Sequence, residues 1–185
     1  MIREAVVTSL DGAGRPHLAP LGLTGDAGRW IIAPFRPSTT LDNLRAVPFA
    51  VASYVDDARI FAGLVTGRRD WPLAPTEPGR PPRLAAALSH ATLAVEHVED
   101  HAERPRFLCR VESLVAHRPF EGMNRARAAV LEAAVLITRL RLLPREKIER
   151  EMDHLSIAIE KTAGPEEREA WSWLVEARER FYAPG

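Results

Sequence analysis

The strongest constraint on this chain is a change of period near residue 118. Before it, apolar residues come in short, β-branched runs broken by Gly, Pro and Asp. After it, they recur every three or four positions. The first pattern is that of many short strands, and the second that of amphipathic helices. Ile2–Leu10, Pro16–Thr24, Trp30–Ala33, Phe49–Val55, Ile60–Thr66 and Arg106–Val115 read as strands. Ala91–Val98 alternates in the same way, while Leu84–His90 is ambiguous. Asp11–Arg15 and Gly25–Arg29 read as turns, and Pro20 and Gly22 confine the second strand to an edge or a bulge. From Phe120, Met123, Ala126, Val130, Ala133, Ile137 and Leu140 line one helix. Ile148, Met152, Leu155 and Ile159 line a second after Pro144. Trp171, Leu174, Arg178 and Phe181 line a third after Gly164-Pro165. The expected fold is mainly β with α: a small antiparallel split β-barrel over residues 1–118, then a three-helix C-terminal annex over 119–185.

Inside the β region sits one helix with an unusual start. Ile31-Ile32-Ala33 leads into Pro34-Phe35-Arg36-Pro37, and Ser38, Thr39 and Thr40 then open a short helix with Leu41 and Leu44 on one face. A helix start carries backbone N–H groups without helical acceptors and a partial positive charge, which suits a phosphate. Three hydroxyls and the Arg36 guanidinium add donors of the right kind. The plainer reading is that Ser38 or Thr39 is only the helix cap.

Two further clusters carry cations. Arg68, Arg69 and Trp71 precede a segment, Pro72 to Pro82, that holds five prolines and reads as a surface loop. Asn124, Arg125 and Arg127 open the first C-terminal helix. The two clusters are expected to converge on one pocket for a substrate anion, with Trp71 as a stacking surface; the competing reading is that the arginines pair with Asp70, Glu121 or Glu132. Asp56-Asp57 reads as a turn. Cys109 falls on the apolar side of an amphipathic strand and reads as a core residue. A lone cysteine excludes an intrachain disulfide and a Cys-based zinc site, and the histidines show no ligand spacing. Lys plus Arg equals Asp plus Glu at 25 each, which argues against a non-specific nucleic-acid binder. With no signal core and no membrane-length apolar run, the expected location is cytoplasmic.

The opening hairpin with its Asp-Gly turn, the run Arg36 to Leu44 (RPSTTLDNL) and the strand that follows resemble the FMN-binding split-barrel superfamily of flavin reductases and pyridoxamine-phosphate oxidases. RIFAG through TGRRDWP, GMNRARAAVLEAA and the KTAG-P-E-ERE-W tail are similar to a narrower, uncharacterised family. That family is known from methanogens and from bacteria with tetrahydromethanopterin-linked C1 metabolism. The resemblance implies a homodimer with bound FMN, held by His17, Pro20, Arg36, Ser38, Thr39, Thr40 and Asn43. Thr40 and Asn43 match the Thr and Asn that open the helix beneath the FMN phosphate in flavin-reductase-like members. The Lys that oxidase-like members carry near Thr40 is absent. Arg68, Arg69, Trp71, Asn124, Arg125 and Arg127 are the expected substrate contacts. The implied function is that of an FMN-dependent oxidoreductase or flavin reductase acting on a small anionic or heteroaromatic substrate, with no metal, no nucleic acid and no membrane involved. A non-catalytic FMN carrier or sensor, and a barrel using a deazaflavin or haem, are the alternatives.

Overall fold

The computed structural model describes residues 1–25 and 28–183. Asp26 and Ala27, in the turn expected over 25–29, lie outside the described residues. The chain divides into two compact units: Met1–Val55 with Trp71–Phe120, and Asp56–Asp70 with Glu121–Gly185.

The first unit is a closed antiparallel barrel. Its strands are β1 (Ile2–Leu10), β2 (Pro16–Gly25), β3 (Arg29–Ile32), β4 (Phe49–Tyr54), β7 (Ser89–Glu99) and β8 (Arg106–Ala116), and a short pair, β5 (Leu73–Ala74) and β6 (Arg83–Leu84), lies outside it. Around the barrel the order is β1-β2-β3-β8-β7-β4, and β4 closes back onto β1. Period-two alternation sends Ala5, Val7, Leu23, Trp30, Ile32, Ala50, Ala52, Leu93 and Phe107 into one buried cluster. Alanines on β4 and β7 face the bulky side chains of β3 and β8, which fills a narrow interior. Cys109 belongs to this cluster, and burial pushes its thiol up to about 12. It is a core residue, as its strand position suggested.

The barrel has one weak seam. β2 pairs with β1 along its whole length, yet with β3 only at Thr24–Ile31 and Gly25–Trp30. Pro20 and Gly22 fall in the part of β2 that is paired on one side alone, the edge placement that their chemistry demands. Gly25 ends the strand at φ +145, and a Cβ there would collide with the Arg29 carbonyl oxygen. The helix α1 (Thr39–Ala46) packs on β1 and β2 and adds Leu41 and Leu44 to the barrel core.

The proline-rich segment is pinned to the barrel wall. The Leu84 amide donates to Ser53 Oγ at 3.1 Å, and Thr92 and Ser113 hydroxyls donate to the two oxygens of Glu77 at 2.9 and 2.6 Å. The Ser113 bond, more than the Thr92 bond, holds the Glu77 carboxyl below its ordinary range. Arg80 lies 3.7 Å over the Phe49 ring and pairs with Glu112 at 2.7 Å.

The second unit is helical. It holds α2 (Ala58–Val65), α3 (Arg125–Ile137), α4 (Arg145–Thr162) and α5 (Pro165–Tyr182). Five helices are therefore described in the chain where four were expected, because Ile60–Thr66 is helical rather than a strand. That run is apolar on every side, and Ile60, Phe61, Ala62, Gly63 and Leu64 are all buried. Such a run has no periodicity to separate a buried strand from a buried helix. The deciding residue is Asp57, whose carboxylate caps α2 by accepting from the Arg59 amide. Asp56-Asp57 is thus a helix entrance and not merely a turn.

Small residues on α3 (Ala126, Ala129, Ala133 and Ala134) let α2, α4 and α5 approach it closely. Arg127 joins the helix starts: it donates to Asp56 at 2.7 Å and to Glu167 at 3.0 Å. Glu167 is buried and also accepts from the Gly164 amide. Burial pushes its carboxyl up, but the bonds from Arg127 and Gly164 outweigh this and leave it below its ordinary value of 4.5. A carboxylate depressed by folding adds stability that is complete above its unfolded value and lost as pH falls through the folded one. Glu167→Ala should therefore cost about 2–4 kcal/mol at neutral pH, read from urea unfolding. Below pH 4.5 the wild type should lose stability faster than the variant. Parallel acid profiles would show that Glu167 carries none of this dependence.

Candidate functional site

The start of α1 distributes its hydroxyls unequally, because successive helical residues point about 100° apart. Ser38 is the cap: its Oγ accepts from the Leu41 amide at 3.4 Å, and its own proton remains to be donated elsewhere. Thr39 is exposed, whereas Thr40 is buried at 3% exposure. Asn43, 4% exposed, donates through Nδ2 to Ser9 Oγ at 3.0 Å inside the barrel unit. Asn43 thus locks α1 to β1. His17 and Pro20 are half-buried on β2, opposite Ser9 and Val6 respectively.

Arg36 stands beside this helix start and is not isolated. Its Nη2 donates to Asp100 Oδ1 at 2.7 Å, and Arg45, in the last turn of α1, reaches the same oxygen at 3.2 Å. The turn between β7 and β8 clasps the segment from below: the Arg36 amide donates to the Glu103 carbonyl, and Arg104 donates twice to the Ala33 carbonyl, at 3.1 and 2.8 Å. The Arg104 guanidinium lies 4.4 Å over the Phe35 ring. An open cleft of about 450 Å³ adjoins this segment, lined among others by Thr24, Ile31, Ala33, His101, Arg104 and Arg106. Arg45, Asp100 and Arg104 were not anticipated. Their only sequence signal is a dense mix of charges between two strands, and their partners become visible only once the hairpin is folded.

The two other clusters are largely engaged within their own units. Arg68 donates to Thr66 Oγ1 at 2.9 Å and lies 4.3 Å over the Trp173 ring, with Glu176 at 4.0 Å. Asn124 caps α3 through the Ala126 and Arg127 amides and donates to the Thr162 carbonyl. Arg127 is held by Asp56 and Glu167. These partners differ from the carboxylates that sequence proximity suggested, Asp70, Glu121 and Glu132. Arg69 and Arg125 are exposed on the helical unit, and Trp71 is half-buried in the barrel unit. Among the described residues, no group of three or more His, Cys, Asp or Glu is placed to hold a metal ion, and no helix is long and apolar enough to cross a membrane.

A six-stranded antiparallel barrel with a short helix packed on β1 and β2, and a separate set of helices, has the split-barrel fold. The chain belongs to the DUF447 family, described as a protein of unknown function: the model of the family's N-terminal domain matches residues 3–118, and a second family model matches residues 124–176. An FMN-bound protein of this family from Methanosarcina mazei shares the fold at a TM-score of 0.81 and 21% identity, covering 95% of this chain and 94% of that one. An NADH:FAD oxidoreductase from Streptomyces globisporus matches at a TM-score of 0.53 and 16% identity, over 62% of this chain and 75% of its own. An FMN-binding protein from Thermus thermophilus with bound p-hydroxybenzaldehyde matches at 0.54 and 19% identity, over 65% and 74%. No functionally curated protein matches the chain.

The buried amide of Asn43 gives a direct test of how α1 is held. Asn43→Ala removes the bond to Ser9 and should lower stability by about 1–3 kcal/mol in urea unfolding of the ligand-free protein. An unchanged midpoint would show that α1 is held by Leu41 and Leu44 alone.

Proposed function

We propose that the chain is an FMN-binding flavoprotein, active as an FMN-dependent oxidoreductase or flavin reductase in a cytoplasmic homodimer. The observation that carries this reading is the chemistry around the start of α1. A helix start offers backbone N–H groups to an anion, Ser38 retains a proton to donate, the Thr39 hydroxyl is exposed, and Arg36 stands two residues before the cap. That donor set fits the phosphate of FMN. Its position in the family supports the same cofactor, since a family member of nearly identical extent is FMN-bound. Bound FMN would supply the redox chemistry; the residues here hold and orient it.

Within this reading Ser38, Thr39 and Arg36 contact the phosphate. Thr40 and Asn43, being buried, set the pose of the helix that presents it. His17 and Pro20 lie on the one-sided part of β2, where a flat ring can approach the strand. The cleft beside Ala33 has His101, Arg104 and Arg106 on its wall together with Glu103, and Arg106 is paired with Glu99; this mix of donors and acceptors suits a polar heteroaromatic substrate such as a pterin or a nicotinamide cofactor.

The protein as purified should show a flavin spectrum, with a ligand of FMN mass. Arg36→Ala and Thr39→Ala should each weaken FMN by roughly one to two decades while leaving the unfolding midpoint of the ligand-free protein in place. Unchanged affinity in both would remove this site. Turnover with NADH, NADPH or a reduced pterin separates an enzyme from an FMN carrier, and light scattering tests the dimer.

A further inference from the structure

The ion pairs of Arg36 lead one step beyond FMN binding, and the step rests on that reading. Arg36 precedes α1 and Arg45 lies in its last turn, so the two guanidinium groups bracket the helix. Both reach the same oxygen of Asp100, at 2.7 and 3.2 Å. The Arg36, Arg45 and Asp100 side chains are 36%, 45% and 69% exposed, so neither pair is locked by burial. Exposed pairs of this kind are weak and exchange readily.

The two cations are not equivalent. Arg36 is two residues from the cap Ser38, whereas Arg45 lies seven residues beyond it, about 10 Å further along the axis. The two guanidinium groups meet at Asp100, but Arg36 springs from the backbone beside the cap, so a phosphate at the helix start lies closer to its anchor than to that of Arg45. A phosphate monoester brings nearly two charges and three acceptor oxygens, against the single charge of a carboxylate. We propose that Asp100 competes with the flavin phosphate for Arg36, and that Arg45 keeps Asp100 paired when Arg36 turns away. The β7–β8 turn then sets how strongly the protein prefers a phosphorylated flavin to an unphosphorylated one. Arg36 alone would lose its carboxylate on binding and leave it unpaired; with Arg45 present the carboxylate keeps a partner throughout.

Flavin fluorescence quenching with FMN and riboflavin tests this on the whole protein. Asp100→Asn should tighten FMN by about two- to five-fold, the size of one exposed ion pair, and leave riboflavin unchanged. The same substitution in an Arg36→Ala background should change nothing, because the competition runs through Arg36. Arg45→Ala should weaken FMN by a similar factor, and Asp100→Asn should abolish that loss. Weaker FMN binding by Asp100→Asn would make Asp100 a support for Arg36 and overturn the proposal. Equal tightening with and without Arg36 would reduce Asp100 to a general charge and overturn it as well. A wild type that binds neither flavin sinks the FMN reading together with this inference; a wild type that binds FMN with a flat response to Asp100→Asn sinks this inference alone.

Discussion

The barrel core is completed by a helix: α1 packs on β1 and β2 and is fixed there by one buried bond, Asn43 to Ser9. The strands themselves pair extensively: β1 pairs with β2 over its full length and with β4 over four residues, and β7 with β8 over most of theirs. Leu41 and Leu44 of α1 add apolar surface to the barrel core, each contributing about 1.5–3 kcal/mol by burial. Apolar packing alone lets a helix rotate or slide by a turn. The Asn43–Ser9 bond removes that freedom, because a shifted helix would bury an amide without a partner. The orientation of Ser38, Thr39 and Arg36 follows from how α1 is held, so the proposed anion site rests on a buried bond that touches no ligand.

The helical unit is held differently. Its central helix is lined with alanines, which bring backbones close but bury little area each. Charge at the helix starts compensates. Asp57 caps α2, Asn124 caps α3, and Glu167 reaches back to the Gly164 amide at the start of α5. Arg127 then ties Asp56 and Glu167 together, while Arg59 joins Asp57 to Glu166 at 2.9 Å. Acidic groups at helix starts also complement the helix dipoles. Of the cations that looked free for a substrate, Arg127 is spent on helix entrances and Arg68 on Thr66 and the Trp173 ring.

Much of this was legible in the chain. Alternation located five of the six barrel strands to within one residue at each end and most of β7, and the three-four spacing located α3, α4 and α5, since both signals come from one face meeting a core. The α2 segment was misread because IFAGLV is buried all round and has no polar face to reveal its period. The start of α1 was recognisable from Ser-Thr-Thr after Pro, but not the division of labour among those hydroxyls. That division depends on which way each residue points relative to a barrel folded from distant strands. Arg36 was noticed, whereas Asp100, 64 residues away, and Arg104 were not. Hairpin turns rich in mixed charge look alike in sequence, and only strand register decides which residue of the turn meets which loop.

The contrast between buried and exposed polar groups separates two tasks in the barrel unit. Asn43, Thr40 and Ser9 are buried, and the Asn43–Ser9 bond is costly to break; it fixes geometry. Arg36, Arg45 and Asp100 are exposed, and their pairs are cheap to exchange; they suit adjustment. A site assembled only from the first kind would be rigid but unable to release an anion without disturbing the core. A site assembled only from the second kind would have no fixed pose. Here the rigid group sets where the helix start lies, and on the proposed reading the exposed group sets how much an anion gains by coming there. On that reading, changes in the β7–β8 turn retune affinity for a phosphorylated ligand without passing through the core, whereas changes at Asn43 cannot avoid it.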